Sequence, residues 1–268
     1  MALDVHDDPV AQHRAFGMAS DPAALAALER RFRANLDAFE ILVAPSTRFA
    51  DLACLPLERR LVAPNGTDTH HVLPGPWPEG PTVGMVSGAA PGRGIERLVE
   101  AAALARERVP DLRLALWLVA SGPVAERYLE ELRRDLVARP WVTLEPAPYA
   151  DLGVILARAT ILCVPHPPGE YMDAALPVKL FDSMAAGRPL VVTPRAETVE
   201  VVRAADCGLV ADGDETADLA AAIVRLADDP ALAKRLGANG RAAAETRYDW
   251  RRIGSDVADA VLARVGAR

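Results

Sequence analysis

Leu176-Pro177-Val178-Lys179-Leu180-Phe181-Asp182-Ser183-Met184-Ala185-Ala186-Gly187-Arg188-Pro189, with the apolar run Leu190-Val191-Val192 behind it, reads as a helix running into a buried strand. Pro177 suits a first helical position, where a missing N–H is harmless, Gly187 suits a C-terminal cap, and Pro189 forbids continuation. These bounds predict a helix of about three turns. Leu180, Phe181, Met184 and Ala185 fall on one apolar face, while Lys179 and Asp182, three apart, share another. That charged pair is either an exposed helical pair or part of a site.

The same alternation extends on both sides. Strands are expected at 82–86, 112–119, 142–144, 161–164, 190–192 and 208–211, with helices at 94–106, 124–137, 149–158 and 198–204. Strands that are continuous apolar runs, joined by helical crossovers, imply an α/β architecture with a doubly wound parallel six-stranded sheet, Rossmann-like and covered on both faces. Residues 1–72 offer three short strands (2–5, 40–44, 60–63) and helices opened by Asp21 and Ser46, a partial α/β domain. The Pro- and Gly-rich residues 73–81 form an expected linker, 82–248 the complete domain, and 249–268 a C-terminal helix. A short sheet of this kind keeps an open edge, which predicts a homo-oligomer or a complementing N-terminal chain.

The 268 residues are 51% hydrophobic and 25% charged, with net charge −7. An acidic chain lacks the basic patches that neutralise phosphates, so nucleic acid is excluded as a partner. The first eight residues carry three acids and no apolar core, unlike a signal peptide, and the longest apolar run, Leu114 to Ala120, is far below the roughly 18 residues of a membrane span. Cys54, Cys163 and Cys207 show no metal-ligand spacing and are expected as reduced, buried thiols in a cytoplasmic protein.

In a doubly wound sheet ligands bind beyond the carboxyl ends of the strands. The first such loop is Ser87-Gly88-Ala89-Ala90-Pro91-Gly92-Arg93-Gly94. Gly88, Gly92 and Gly94 permit close backbone approach, the following helix points its positive end there, and Arg93 adds a cation, so the loop is a phosphate cradle or a plain structural turn. Ser121-Gly122 after the second strand is a pocket wall or a tight turn. The long stretch from Pro165 to Ala175 reads as a loop whose polar candidates are His166, Glu170 and Asp173. Asp212-Gly213-Asp214 reads as a turn, with Asp214 capping the next helix.

The ordered series Val-Ala-Pro-Ser (43–46), Pro-Asn-Gly-Thr-Asp (64–68), Pro-Gly-Arg-Gly-Ile (91–95), Ser-Gly-Pro (121–123), Pro-x-Lys-x-x-Asp-x-Met-Ala-x-Gly-x-Pro (177–189) and Tyr-Asp-Trp (248–250) resembles the family-four retaining glycosyltransferases of the GT-B fold. The resemblance implies two Rossmann-like domains, with a nucleoside-diphosphate-sugar donor substrate held mainly by the second and no metal or other cofactor. It places the ribose-binding acid at Asp182 and the cations that neutralise the departing diphosphate at Arg93 and Lys179. Pro177 and Leu180 then belong to the donor-binding helix start. The stretch Asp4-Val5-His6-Asp7 resembles the loop where some members set a histidine toward the donor sugar, making His6 a site residue or a plain loop histidine.

Two departures stand out: the ribose acid is Asp instead of Glu, and the glutamate expected eight positions before it is Ala174, with Glu170 or Asp173 as its expected substitutes. The resemblance further implies about a hundred more residues ahead of this chain. The expected activity is sugar transfer to an acceptor (a glycan, a lipid-linked glycan or a small molecule) with retention of configuration, at the membrane surface or in the cytoplasm. The alternative is a non-catalytic nucleotide-binding partner subunit.

Overall fold

The computed structural model describes residues 1–16 and 21–266. The chain starts with strand β1 (Ala2–Asp4), helices α1 (Pro9–Ala15) and α2 (Pro22–Asp37), β2 (Ile41–Ala44), α3 (Thr47–Leu52) and β3 (Arg60–Val62). These strands form a three-stranded parallel sheet in the order β1-β2-β3. Its core gathers Leu36, Leu42, Phe49 and Leu55, and Ala174 from the far half of the chain packs into the same cluster.

Beyond the connecting stretch come β4 (Thr82–Gly88), α4 (Ile95–Arg106), β5 (Arg113–Val119), α5 (Pro123–Leu136), β6 (Val142–Glu145), α6 (Leu152–Ala157) and β7 (Ile161–Val164). They are followed by α7 (Glu170–Ala174), α8 (Val178–Ala185), β8 (Leu190–Val192), α9 (Ala196–Ala205), β9 (Gly208–Val210), α10 (Thr216–Asp228), α11 (Pro230–Arg247) and α12 (Trp250–Gly266). The six strands pair in parallel in the order β6-β5-β4-β7-β8-β9. Counted from β4, this is the doubly wound order, and the direction of winding reverses between β4 and β7. Every residue of β7 and β8 is buried. One apolar cluster, with Leu98, Leu114 and Ile223, covers one face, and another, with Leu162, Phe181 and Met184, covers the other.

Several expectations are corrected by backbone geometry. The helix read as three turns is eight residues, about two turns, because Pro177 is extended (φ −75°, ψ 136°) and serves as N-cap instead of first helical residue. Gly187 does take the left-handed conformation expected of a cap (φ 68°). The stretch 165–175, read as loop, contains α7, and the unforeseen α1 is capped by Asp8, whose carboxylate accepts from the N–H groups of Val10 and Ala11. Asp214 does not cap α10: Glu215 and Asp218 form a capping box there. Cys54 is exposed at a left-handed turn (φ 49°) after α3, whereas Cys163 and Cys207 are buried. Of the C-terminal stretch 249–268, the last two residues lie outside the described residues.

Candidate functional site

The turn from β4 into α4 lies at the sheet's switch point. Gly94 has φ 81°, and a Cβ there would stand 1.9 Å from the carbonyl oxygen of Pro165, so only glycine lets this turn seat against the chain leaving β7. Neither α4 nor α8 has a side-chain N-cap bond, and the first residues of α8 face a cavity of about 530 Å³ between the two sheets. From the larger sheet's side it is lined by Ser87, Gly88, Arg93, His166, Pro177 and Lys179, and from the smaller by His6, Asp7, Gln12 and Asn65.

The cationic groups here are poorly partnered. Lys179 Nζ donates to Ser87 Oγ at 3.1 Å, and burial, reinforced by the nearby Arg93 charge, lowers its ammonium to about 7. The Arg93 guanidinium lies 4.4 Å from the Phe16 ring centroid, and its buried Nε has no hydrogen-bond partner among the described residues. His166 is 2% exposed and both its ring nitrogens are likewise unpartnered. Burial and then the charges of Lys179, Arg93 and Arg195 hold it well below the usual imidazole range, so it is neutral. Unsatisfied buried donors around a cavity are the arrangement expected of a site that receives an anion.

The sequence candidates divide accordingly. Arg93, Lys179, Gly88, Pro177 and His6 meet at the cavity. The His6 ring lies 2.8 Å from the Asp4 carboxylate, which raises its pKa. Gly92 (φ 77°) packs against Phe16. Asp182, one turn further along α8, does not line the cavity: Thr67 Oγ1 donates to it at 2.7 Å, and burial pushes its carboxyl up to about 6. Leu180 is fully buried in the core. Ser121 and Gly122 form the β5–α5 turn, outside the cavity, although the preceding Val119 lines it.

Glu170 and Asp173 face other surfaces. Asp173 accepts from the Ala196 N–H at 3.3 Å and pairs with Arg195 at 3.5 Å, while Arg195 also binds Asp214, which pairs with Arg97 at 3.5 Å. Sequence reasoning did not single out Asp7, Gln12 or Tyr171. The Tyr171 hydroxyl donates to Asp7 Oδ1 at 2.6 Å, and Gln12 Nε2 donates to the Tyr171 oxygen at 3.4 Å. The one local signal was Asp7 following His6, since a contact across 164 residues leaves no mark in spacing. Among the described residues, no group of three or more His, Cys, Asp or Glu is placed to hold a metal ion, and no helix is long and apolar enough to cross a membrane.

The family model described as "Glycosyl transferases group 1" matches residues 80–229. The chain is 30% identical over 226 residues to an MMP alpha-(1->4)-mannosyltransferase of Mycolicibacterium hassiacum, covering 81% of this chain and 52% of that protein. It is also 30% identical over 222 residues to a GDP-mannose-dependent alpha-(1-6)-phosphatidylinositol monomannoside mannosyltransferase of Mycolicibacterium smegmatis, covering 76% and 56%. The chain thus spans about half the length of the curated relatives it matches. Among solved structures, sucrose-phosphate synthase of Thermosynechococcus elongatus superposes with TM-score 0.78 at 22% identity, over 100% of this chain and 68% of that one. Anabaena HepE in complex with UDP and glucose gives 0.75 at 19%, over 97% and 70%. The fold is thus that of the GT-B glycosyltransferases, and with the family match spanning more than half its length, this chain belongs to the glycosyl transferases group 1 family.

Proposed function

We propose that this chain is the donor-binding part of a glycosyltransferase that moves a sugar from a nucleoside diphosphate to an acceptor with retention of configuration. The observation that carries the reading is the gathering of Arg93, Lys179 and the unpartnered His166 where two uncapped helices begin at the switch point of the sheet. Breaking the bond between the anomeric carbon and the diphosphate oxygen leaves charge on the departing diphosphate. Two cationic side chains and the N-termini of two helices placed at the cavity stabilise that charge, so the reading calls for no metal ion or other cofactor. Asp182, behind the cavity wall one turn along α8 and bonded to Thr67, is the acid that the family resemblance assigns to the ribose hydroxyls, and His6 faces the sugar from the other wall. Retention rests on the family resemblance. The acceptor is a glycan, a lipid-linked glycan or a small molecule, met in the cytoplasm or at the membrane surface; two similar proteins are mannosyltransferases, one of them acting on a phosphatidylinositol mannoside.

Calorimetric titration of the intact chain with UDP, GDP and ADP tests the site. Saturable binding of at least one is expected, and a folded chain that binds none overturns the assignment. A second reading, a nucleotide-binding partner subunit without catalysis, is favoured by Ala174, which is 1% exposed and packed into the core of the smaller sheet where the family pattern has an acid. A panel of nucleotide sugars separates the two, because the partner subunit binds donor without turnover.

A further inference from the structure

Among the described residues that line the cavity, Asp7 is the single carboxylate. The other positions expected to supply an acid near a donor sugar do not reach this cavity. Position 174 is an alanine buried in the smaller sheet's core, Asp173 is held by Arg195 and the Ala196 N–H, and Glu170 lines surfaces away from this cavity.

Asp7 and Arg93 share the cavity yet form no ion pair with each other. Between them stand two rings: Phe16 under the Arg93 guanidinium, and Tyr171 edge-on to Phe16 with centroids 6.0 Å apart. Tyr171 spends its hydroxyl proton on Asp7 Oδ1 at 2.6 Å; burial and then this bond push the phenol up, so it stays a donor. One carboxylate oxygen is therefore fixed in place while the other keeps its acceptor capacity.

A cavity lined both by the cationic groups of Arg93 and Lys179 and by a carboxylate that is oriented by Tyr171 and forms no ion pair with them matches a ligand that joins an anionic group to one rich in hydroxyls. We propose that Asp7, oriented by Tyr171, binds the hydroxyl groups of the donor sugar and sets which sugar is accepted. The proposal rests on the nucleotide-sugar reading above. It goes beyond that reading by adding Asp7 beside His6 in the β1–α1 connection as the sugar-hydroxyl contact, where Glu170 and Asp173 of α7 were the acids expected from the sequence.

The test compares UDP with UDP-glucose and GDP with GDP-mannose by calorimetry, using the intact chain and its Asp7→Asn and Tyr171→Phe variants, each checked for cooperative thermal unfolding. Asp7→Asn is expected to weaken binding of the preferred sugar nucleotide at least tenfold and to change the matching nucleoside diphosphate less than twofold. Tyr171→Phe is expected to shift the ratio in the same direction by a smaller factor. If Asp7 and Tyr171 only latch the two sheets together, the variants melt earlier with that ratio unchanged, and the proposal fails. Equal losses for both ligands also overturn it. Failure of the unaltered chain to bind any nucleotide overturns the proposal together with the donor-site reading, whereas nucleoside diphosphate binding with an unmoved ratio overturns this proposal alone.

Discussion

An ammonium group that loses its water shell holds its proton less tightly, and Lys179, buried beside Arg93, has its pKa brought down to about 7. A bound diphosphate would reverse that by supplying opposite charge. Between pH 7 and the raised pKa of the complex, the bound state holds more protons than the free one, so binding takes up protons and weakens as pH rises. At pH 8, titration of the preferred nucleoside diphosphate in buffers of different ionisation enthalpy should show net proton uptake, and Lys179→Met should abolish it. Heats independent of buffer would show that Lys179 does not meet the phosphates.

Asp182 carries the opposite sign. Its folded pKa is raised to about 6 from an ordinary 3.8, chiefly by burial, so between these values the folded state keeps a proton that the unfolded state has lost. Stability falls as pH rises through that window, and the full penalty stands above pH 6. Asp182→Asn keeps an acceptor for Thr67 and removes the penalty, which at pH 7.5 should raise stability by about 1–3 kcal/mol. The same change should weaken nucleotide binding far more than binding of inorganic diphosphate, since only the nucleotide carries ribose. An unchanged melting temperature would show that burial does not penalise the carboxylate, and equal losses for both ligands would remove Asp182 from the site.

At the scale of elements, the glycine-rich turn shows what sequence can and cannot distinguish. Three glycines beside Arg93 were legible as a cradle, but they are not equivalent. Gly88 has an ordinary backbone and open space where a Cβ would go, whereas Gly94 is left-handed and closed off by Pro165. Gly94→Ala is expected to cost about 2–4 kcal/mol in urea unfolding, from the strained φ and the displaced backbone, while Gly88→Ala stays within about 0.5 kcal/mol. Similar losses in both would mean that the turn relaxes freely. The two unforeseen helices escaped for related reasons. A five-residue α7 is too short to display a period, and α1 buries only Val10 among its residues, so its Asp8-Pro9 opening had no apolar stripe behind it to confirm it.

Across the whole molecule, the large sheet was readable because buried parallel strands leave continuous apolar runs, while the contacts that fasten the stretch between β3 and β4 were not, because they join residues more than a hundred apart. Arg188 read only as a spacer between Gly187 and Pro189. It is 1% exposed, and its guanidinium donates to the carbonyls of Ala159 at 2.7 Å and Ala157 at 2.8 Å, and of Gly75 at 3.0 Å and Pro76 at 2.7 Å, with Trp77 stacked 4.6 Å away. One side chain thus ties the stretch between β3 and β4 to the end of α6. Arg188→Met keeps much of the apolar stem but strands these carbonyls, and loss of charged hydrogen bonds from a buried site predicts a destabilisation of about 2–4 kcal/mol. Released from its anchor, the segment around Gly75 to Trp77 should be cut faster by a nonspecific protease under native conditions. Because Arg188 does not line the cavity, nucleotide affinity should stay within twofold. Unchanged melting and unchanged cleavage would show that the remaining anchors suffice, among them Arg241, which donates to the carbonyls of Thr69 and Val72 in the same connection.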